Sequence, residues 1–409
     1  AVNAYIRDLG SRIAAATDTP AAAYRFFVVD DPRINAFAMP GGYIGVHSGL
    51  ITASRTESEL GAVIAHELSH VTQRHIARRI AAAEQTSLRT AAMVLAGLVI
   101  GSQSPQAGMA AVTTGMASGI DSQLAYSRDH EREADRTGMR ILARANLDPT
   151  GMADFFEVLQ ADNRYRSRAP AFLSTHPLTQ ARIADTRSMA RDMKPDSVFE
   201  SPDFAYARAR LQVTTASSPG DAVEDFHARL EADGSPERRY GLAIALIGDE
   251  TPGAAVDILE SLLDEEGAHD LFYVGLAEAA LADNRIDQAL ARIDDGLSLF
   301  PESTGLQVGR VEALLQADRP RDALVSTRNL THQQPNAPGL WELHARAASA
   351  AADPDESALA MAHYYAVQGD LQAGLSQLRR VSEISASPRQ LARAEALRRR
   401  WEARLTRTG

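Results

Sequence analysis

The 409-residue chain has no cysteine. That excludes disulfides and any cysteine-ligated metal site, and it leaves the redox compartment open. Lysine is nearly absent: Lys194 stands alone against 41 arginines. In a chain this rich in alanine, that reads as genome composition rather than function. No apolar run reaches the about 20 residues that a bilayer span needs. The candidate Ala91–Ile100 is followed by the breaker Gly101–Pro105 and the small apolar stretch Ala107–Ile120. These segments read as a helical hairpin or a lid over a cleft, with shallow, peripheral membrane contact as the weaker reading. A secretory leader is also missing: the chain begins at Ala1 without the basic–apolar–cleavage pattern, as a mature form would. Basic excess is lacking too. The net charge is −11, and it is uneven: residues 1–199 carry 21 basic and 20 acidic side chains, residues 200–409 carry 21 and 33. An acidic second half argues against nucleic-acid binding and suits a scaffold or basic partners.

What is present is chemistry in an apolar setting. His66-Glu67-Leu68-Ser69-His70 lies within the periodic stretch Leu60–Ile80. On a helix, residues four apart are separated by about 40° around the axis, so His66 and His70 face the same way and can share one Zn²⁺. Glu67, beside His66, can act as general base without being a ligand. The motif is degenerate on its own, and a surface helix with two histidines is the bland alternative. Its flanks Ala62, Val63, Ile64, Ala65, Leu68 and Val71 are apolar, which points to burial. Buried imidazoles and carboxylates are costly unless something satisfies them.

A catalytic zinc site needs a third protein ligand. The segment Arg128-Asp129-His130-Glu131-Arg132-Glu133-Ala134-Asp135, reading as a helix to Asn146, offers one. Glu131 and Asp135 share a face: Glu131 could ligate, and Asp135 could hold a ligand histidine by its free N–H. Glu133 reads as part of a solvated face. His130 competes as a ligand but falls about 100° off the Glu131/Asp135 stripe. His75, five residues past His70, is off the ligand stripe and reads as structural. Thr175-His176-Pro177-Leu178 reads as a loop, because the residue before proline avoids the helical region.

HExxH followed by ExxxD resembles peptidase family M48, the gluzincin metallopeptidases of the Ste24/HtpX/Oma1 type. Further segments agree: Asn35-Ala36-Phe37-Ala38 with Pro40-Gly41-Gly42 and Ser48-Gly49-Leu50, Ser127-Arg128, and His176-Pro177 with Arg182. The resemblance covers about residues 1–190. It implies one Zn²⁺ per chain with His66, His70 and Glu131 as ligands, Asp135 in support and Glu67 as base. It also places His176 near the metal, either filling the open coordination position or hydrogen-bonding the oxyanion. Arg182 would stabilise oxyanion charge or anchor the loop. An extended substrate is expected to add to a strand edge near Gly42–His47.

The second half repeats. Gly241, Gly275 and Gly309 are 34 residues apart, as are Ala255, Ala289 and Ala323, and Pro301 and Pro335. That is the period of tetratricopeptide repeats, each a pair of antiparallel helices. A fourth, less regular unit runs through Trp341 and Tyr365 to Leu378, with atypical caps near Phe204–Arg210 and Leu391–Leu405. The breakers Lys194-Pro195-Asp196 and Ser201-Pro202-Asp203 mark a boundary. The expected fold is an α+β gluzincin-type metalloprotease domain at 1–195 (a helix near Asn3–Ala16, strands near Arg25–Val29, Ala36–Ala38 and Tyr43–Val46, then helices). An all-α tetratricopeptide solenoid follows at 203–409.

An M48 domain followed by such repeats resembles a periplasmic branch of the family linked to outer-membrane β-barrel assembly. Val71-Thr72-Gln73-Arg74-His75 and Thr175-His176-Pro177-Leu178 look like that branch, although it often carries cysteines and this chain has none. The resemblance implies periplasmic quality control, with misassembled proteins as substrates and the outer-membrane assembly machinery as partner of the repeats. A chaperone or adaptor whose repeats carry the function, with a mostly silent protease, is the rival reading. The intact His66, Glu67, His70 and Glu131 set counts against it.

Overall fold

A computed structural model describes residues 2–19, 24–39, 41–78, 128–165, 170–193, 195 and 197–408. The apolar stretch Ala91–Ile120, the Ser127 position, Pro40, Lys194 and Asp196 lie outside the described residues. The chain forms two compact units, Ala1–Thr215 and Ala216–Gly409.

The first unit begins with α1 (Val2–Ala15), then β1 (Arg25–Val29), β2 (Ala36–Met39) and β3 (Tyr43–His47). Helices α2 (Ser48–Ala53) and α3 (Glu57–Thr72) follow, then α4 at 128–144. The unit closes with α5 (Gly151–Tyr165), α6 (Ala171–Thr175), α7 (Gln180–Asp192) and α8 (Pro202–Thr214). The sheet order is β1-β3-β2. β3 pairs with β1 in parallel, Phe26 opposite Ile44, and with β2 antiparallel, Ala38 opposite Ile44. β3 is therefore the central strand, and the expected substrate edge at Gly42–His47 is already paired on both sides. The edge strands are β1 and β2.

Helix α3 starts where Thr56 caps it, its side chain accepting from the Glu59 N–H at 3.1 Å, a cap worth about 1 kcal/mol. Every residue from Glu57 to His70 is buried. Leu60, Ile64 and Leu68 join Ile6, Ile13, Ile44, Leu142 and Phe155 in one core. Gly138 lets α4 approach α3 closely: a Cβ there would sit 3.2 Å from the His66 backbone nitrogen. The periodic stretch Leu60–Ile80 does not continue as one helix. α3 ends at Thr72, Arg74 adopts φ +53, and a new helical turn runs from His75 to Arg78.

α8 belongs to the first unit. Phe204, Ala207 and Leu211 enter its core, and the Ser201 N–H donates to Glu57, which also accepts from Tyr5 and Arg12. The Phe204–Arg210 segment, expected as a cap of the repeats, is thus drawn to the first unit's core by its apolar residues.

The second unit is an α-solenoid. Its paired helices start at Pro236, Asp270, Thr304 and Pro338, and their partners at Pro252, Ile286, Pro320 and Pro354, so each series advances by the 34-residue period. The turn inside each pair places one residue at positive φ: Glu250, Asn284, Asp318 and Ala352. Ala255, Ala289 and Ala323 are fully buried between helices. The last helices, Leu371–Ile384 and Pro388–Thr408, close a core around Leu375, Leu378, Ala394 and Trp401.

Candidate metal centre

Three elements bring the polar side chains together. α3 supplies His66, Glu67 and His70; α4 supplies Glu131 and Asp135; the turn after α6 supplies His176. All six are buried. One ligand atom each from His66, His70, Glu131 and His176 lies within 4.8 Å of every other. His66 Nε2 is 3.0 Å from His70 Nε2 and 3.3 Å from His176 Nδ1. Glu131 oxygens lie 3.4 Å from His66 Nε2, 3.5 Å from His70 Nε2 and 3.1 Å from His176 Nδ1.

The opposite nitrogen of His66, Nδ1, is 3.0 Å from Asp135 Oδ1. A proton held there leaves a lone pair on Nε2, aimed into a group of other acceptors. Such a convergence is repulsive unless a cation sits among the lone pairs, and imidazole with carboxylate is the donor set that zinc accepts. The residues therefore fit a bound divalent metal.

Electrostatics follow from burial and neighbours. Burial disfavours charge on His66, but Asp135 and Glu131 more than offset it and push its pKa up to about 10. Burial, then the nearby His66 and His176, pushes His70 far below the usual range. Burial raises the Glu67 carboxyl, opposed by His176 and His66. Glu131 and Asp135 are held well below the ordinary carboxylate range: burial works against this, and their histidine and arginine partners prevail. A proton and a metal compete for the same imidazole lone pair, so this is a site where binding a cation releases protons.

Glu67 lies beside the cluster. Among the described residues its Oε1 accepts no hydrogen bond, and it is 3.3 Å from His176 Nε2; the nearby Ala38 backbone of strand β2 favours the charged carboxylate. His176 is stacked on Phe172 at 4.5 Å. Arg182 donates to both Asp135 oxygens at 2.8 and 2.7 Å and to the Pro177 carbonyl at 2.8 Å, and lies 3.0 Å from Glu131. Of the two roles expected for Arg182, oxyanion stabiliser or loop anchor, these contacts are those of the anchor, because its donors are turned onto Asp135, Glu131 and the His176 loop.

His130 is buried and stacked on His75 at 4.2 Å, outside the cluster, in line with its place off the Glu131 stripe. Two further residues, read from the sequence as structural and as part of a solvated face, make contacts beside the cluster. His75 lies 2.9 Å from His70, and Glu133 takes contacts from His75 and Arg78. The signal that could have found them is the break at Arg74, which no residue type there announces.

Comparison with known proteins gives the family. Residues 1–190 match the Peptidase family M48 model. The chain is 33% identical over 397 residues to the beta-barrel assembly-enhancing protease of Escherichia coli K12, covering 96% of this chain and 81% of that one. It is 31% identical over 377 residues to the Yersinia pestis protein of the same name, covering 91% and 78%. The mitochondrial metalloendopeptidase OMA1 of Schizosaccharomyces pombe is 31% identical over 183 residues, covering 44% and 50%. On these matches the chain is a metallopeptidase, and it belongs to peptidase family M48.

Proposed function

We propose that this chain is a zinc endopeptidase of periplasmic quality control that acts in outer-membrane protein assembly. Its repeats would recruit misassembled substrates or the assembly machinery. The observation that carries the reading is the convergence of His66, His70, Glu131 and His176, with the buried carboxylate of Glu67 alongside. The names of the full-length relatives supply the setting. No described helix is long and apolar enough to cross a membrane.

His66, His70 and Glu131 would hold the metal, and Asp135 would fix His66 by its Nδ1–H. Zinc, when bound, lowers the pKa of a water and polarises a carbonyl. Glu67 would accept the proton of the attacking water and return it to the leaving amine, a role suited to a carboxylate raised by burial. An extended substrate adds to β2, an edge strand among the described residues, with main-chain bonds giving affinity. His176 would occupy the remaining position, so that the site is closed until its loop moves. Arg182 sets that loop through Pro177.

The test is hydrolysis of casein by the purified chain, with and without chelator, and by Glu67→Gln. Chelator-sensitive cleavage is expected from the parent. Glu67→Gln should retain zinc and lose about 10²–10⁴ in rate. Zinc loss from the folded variant, or near-normal turnover, would refute the base assignment. No cleavage by the parent under any condition would favour the adaptor reading.

A further inference from the structure

The two helix-borne histidines of the cluster are braced differently. His66 Nδ1 meets Asp135 directly, at 3.0 Å. His70 Nδ1 instead meets another imidazole, His75 Nδ1, at 2.9 Å. His75 Nε2 lies 3.2 Å from Glu133 Oε2, which also accepts a bond of 2.9 Å from Arg78 Nη1. His75 is 2% exposed, whereas the Glu133 side chain is 37% exposed.

On a continuous helix, residues five apart would face directions about 140° apart. The break after Thr72 removes that separation. The Arg74 N–H donates to the Val71 carbonyl at 3.0 Å, Arg74 takes φ +53, and the Arg78 N–H donates back to the Arg74 carbonyl at 2.9 Å. The reversal carries His75 back beneath His70.

We infer that His75 is a positioning residue that fixes His70 as a metal ligand through Nε2, with Glu133 as the terminal acceptor of the chain. The assignment rests on His70 being a ligand, as proposed above. A neutral imidazole carries one proton. If Nε2 gives its lone pair to a metal, the proton is on Nδ1, and among the described residues the acceptor within reach is His75 Nδ1. His75 must then carry its own proton on Nε2, where Glu133 accepts it. Every tautomer in the chain is set by the one before it. Arg78 balances the charge at the outer end. α4 thereby serves both histidines: Asp135 braces His66 directly, and Glu133, on another face of the same helix, braces His70 through His75.

A packing role for His75 is the competing explanation, since its ring stacks on His130 at 4.2 Å. Two substitutions separate the roles. His75→Phe keeps a ring for the stack and removes the acceptor. His75→Asn loses the ring but places an oxygen where Nδ1 was. The measurement is the zinc dissociation constant of the full chain by competition with a fluorescent chelator, alongside a thermal melt. His75→Phe is expected to weaken zinc binding about 10–100-fold, His75→Asn to stay near the parent, and Glu133→Ala to fall between them because water reaches that end. Undiminished affinity in His75→Phe, or equal losses in Phe and Asn variants, would overturn the inference. His70→Ala is the control: if it leaves zinc affinity unchanged, the ligand set itself fails, and this inference with it. Loss in His70→Ala without loss in His75→Phe sinks the brace alone.

Discussion

The two units spend their buried volume in different ways. In the first, His66, Glu67, His70, His75, Glu131, Asp135, His176 and Arg182 are all withdrawn from water around one point. In the second, the buried imidazole and carboxylate side chains among the described residues are His344 and Glu356, and most of the remaining interior is apolar, alanine and leucine above all, with Phe226, Tyr240, Phe272 and Trp401 among the larger side chains. Burying a charge costs several kcal/mol unless partners compensate. A unit that buries many has its stability tied to their mutual satisfaction. A unit that buries few is stable through apolar packing between neighbours. The lesson is that substitutions in the two units should fail differently: by loss of metal and chemistry in the first, by loss of packing in the second.

The sharpest way to break that contrast is to remove a ligand carboxylate. Glu131→Ala leaves the histidines facing one another without their anionic partner. Zinc content should fall from one per chain toward zero at stoichiometric metal. Glu133→Ala, two residues away and weaker in its effect on affinity, should still load under the same conditions. Atomic absorption on the desalted proteins decides. Normal zinc in Glu131→Ala with loss in Glu133→Ala would move the ligand and break the register of α4 against α3.

His176 tests whether the polar unit is built for activity or for restraint. Its ring contacts Glu67, Glu131 and His66 at once, on a loop held by Arg182. A fourth protein ligand fills the place where water must bind. His176→Ala is therefore expected to raise casein cleavage and self-cleavage. A residue that stabilises an oxyanion would give the opposite result, a fall of about 10²–10³ in rate. One turnover assay with zinc content checked separates them, because the signs differ.

Much of this was legible in the sequence because each unit carries its own kind of regularity. HExxH and ExxxD fix side chains by helical periodicity, so His66, His70, Glu131 and Asp135 could be placed on shared faces before any coordinates. The repeats announce themselves by spacing, and Gly241, Gly275 and Gly309 fall at equivalent places in successive units. What periodicity cannot reach is a position where the period breaks. Leu60–Ile80 reads as one periodic stretch, yet its helix breaks after Thr72, where Arg74 turns left-handed. That single residue moved His75 from irrelevance to contact with His70. The pairing of β3 on both sides was likewise invisible, since strand order depends on the crossover rather than on local pattern. Phe204 was assigned to the repeats by position, and its partners lie in the first unit's core.

A buried polar network in the second unit gives the next comparison. Glu356 accepts from Arg393 and Gln390 and contacts His344, whose other nitrogen meets Thr327. Burial opposes its ionisation, but these partners prevail and hold its carboxyl well below the usual range. A carboxylate depressed in the folded state contributes stability above its ordinary pKa, and that contribution is lost as pH falls through the depressed value. His363, stacked on Trp341 at 4.1 Å and edge-on to Trp401, is pushed down to about 4, mainly by burial and then by Arg393. The unfolded imidazole protonates first, so this residue costs stability from about pH 6.5 down to about 4. Glu356→Ala should cost about 2–3 kcal/mol at neutral pH. His363→Phe should flatten the acid side of the stability profile between those values. Tryptophan fluorescence reports both, since the two tryptophans flank His363. An unchanged profile in His363→Phe would remove that residue from the acid response.

The smallest effect probes whether equivalent repeat positions are energetically equivalent. A Cβ at Gly241 would lie 2.1 Å from the Phe226 ring, which is 2% exposed and has no room to retreat. At Gly309 the nearest atom, Ile293 Cδ1, is 3.7 Å away, an ordinary contact. Both glycines are helical, so alanine would contribute about 0.5–1 kcal/mol through helix propensity at either place. At Gly241 overpacking of about 1–3 kcal/mol outweighs that gain. Gly241→Ala should therefore lower the thermal midpoint of the second unit, and Gly309→Ala should raise it. Circular dichroism melts of the two variants give the answer by sign alone. Equal destabilisation would mean that the 34-residue glycine records a shared packing demand. Opposite signs would mean that it marks the register of the repeat, while the packing need is met unit by unit.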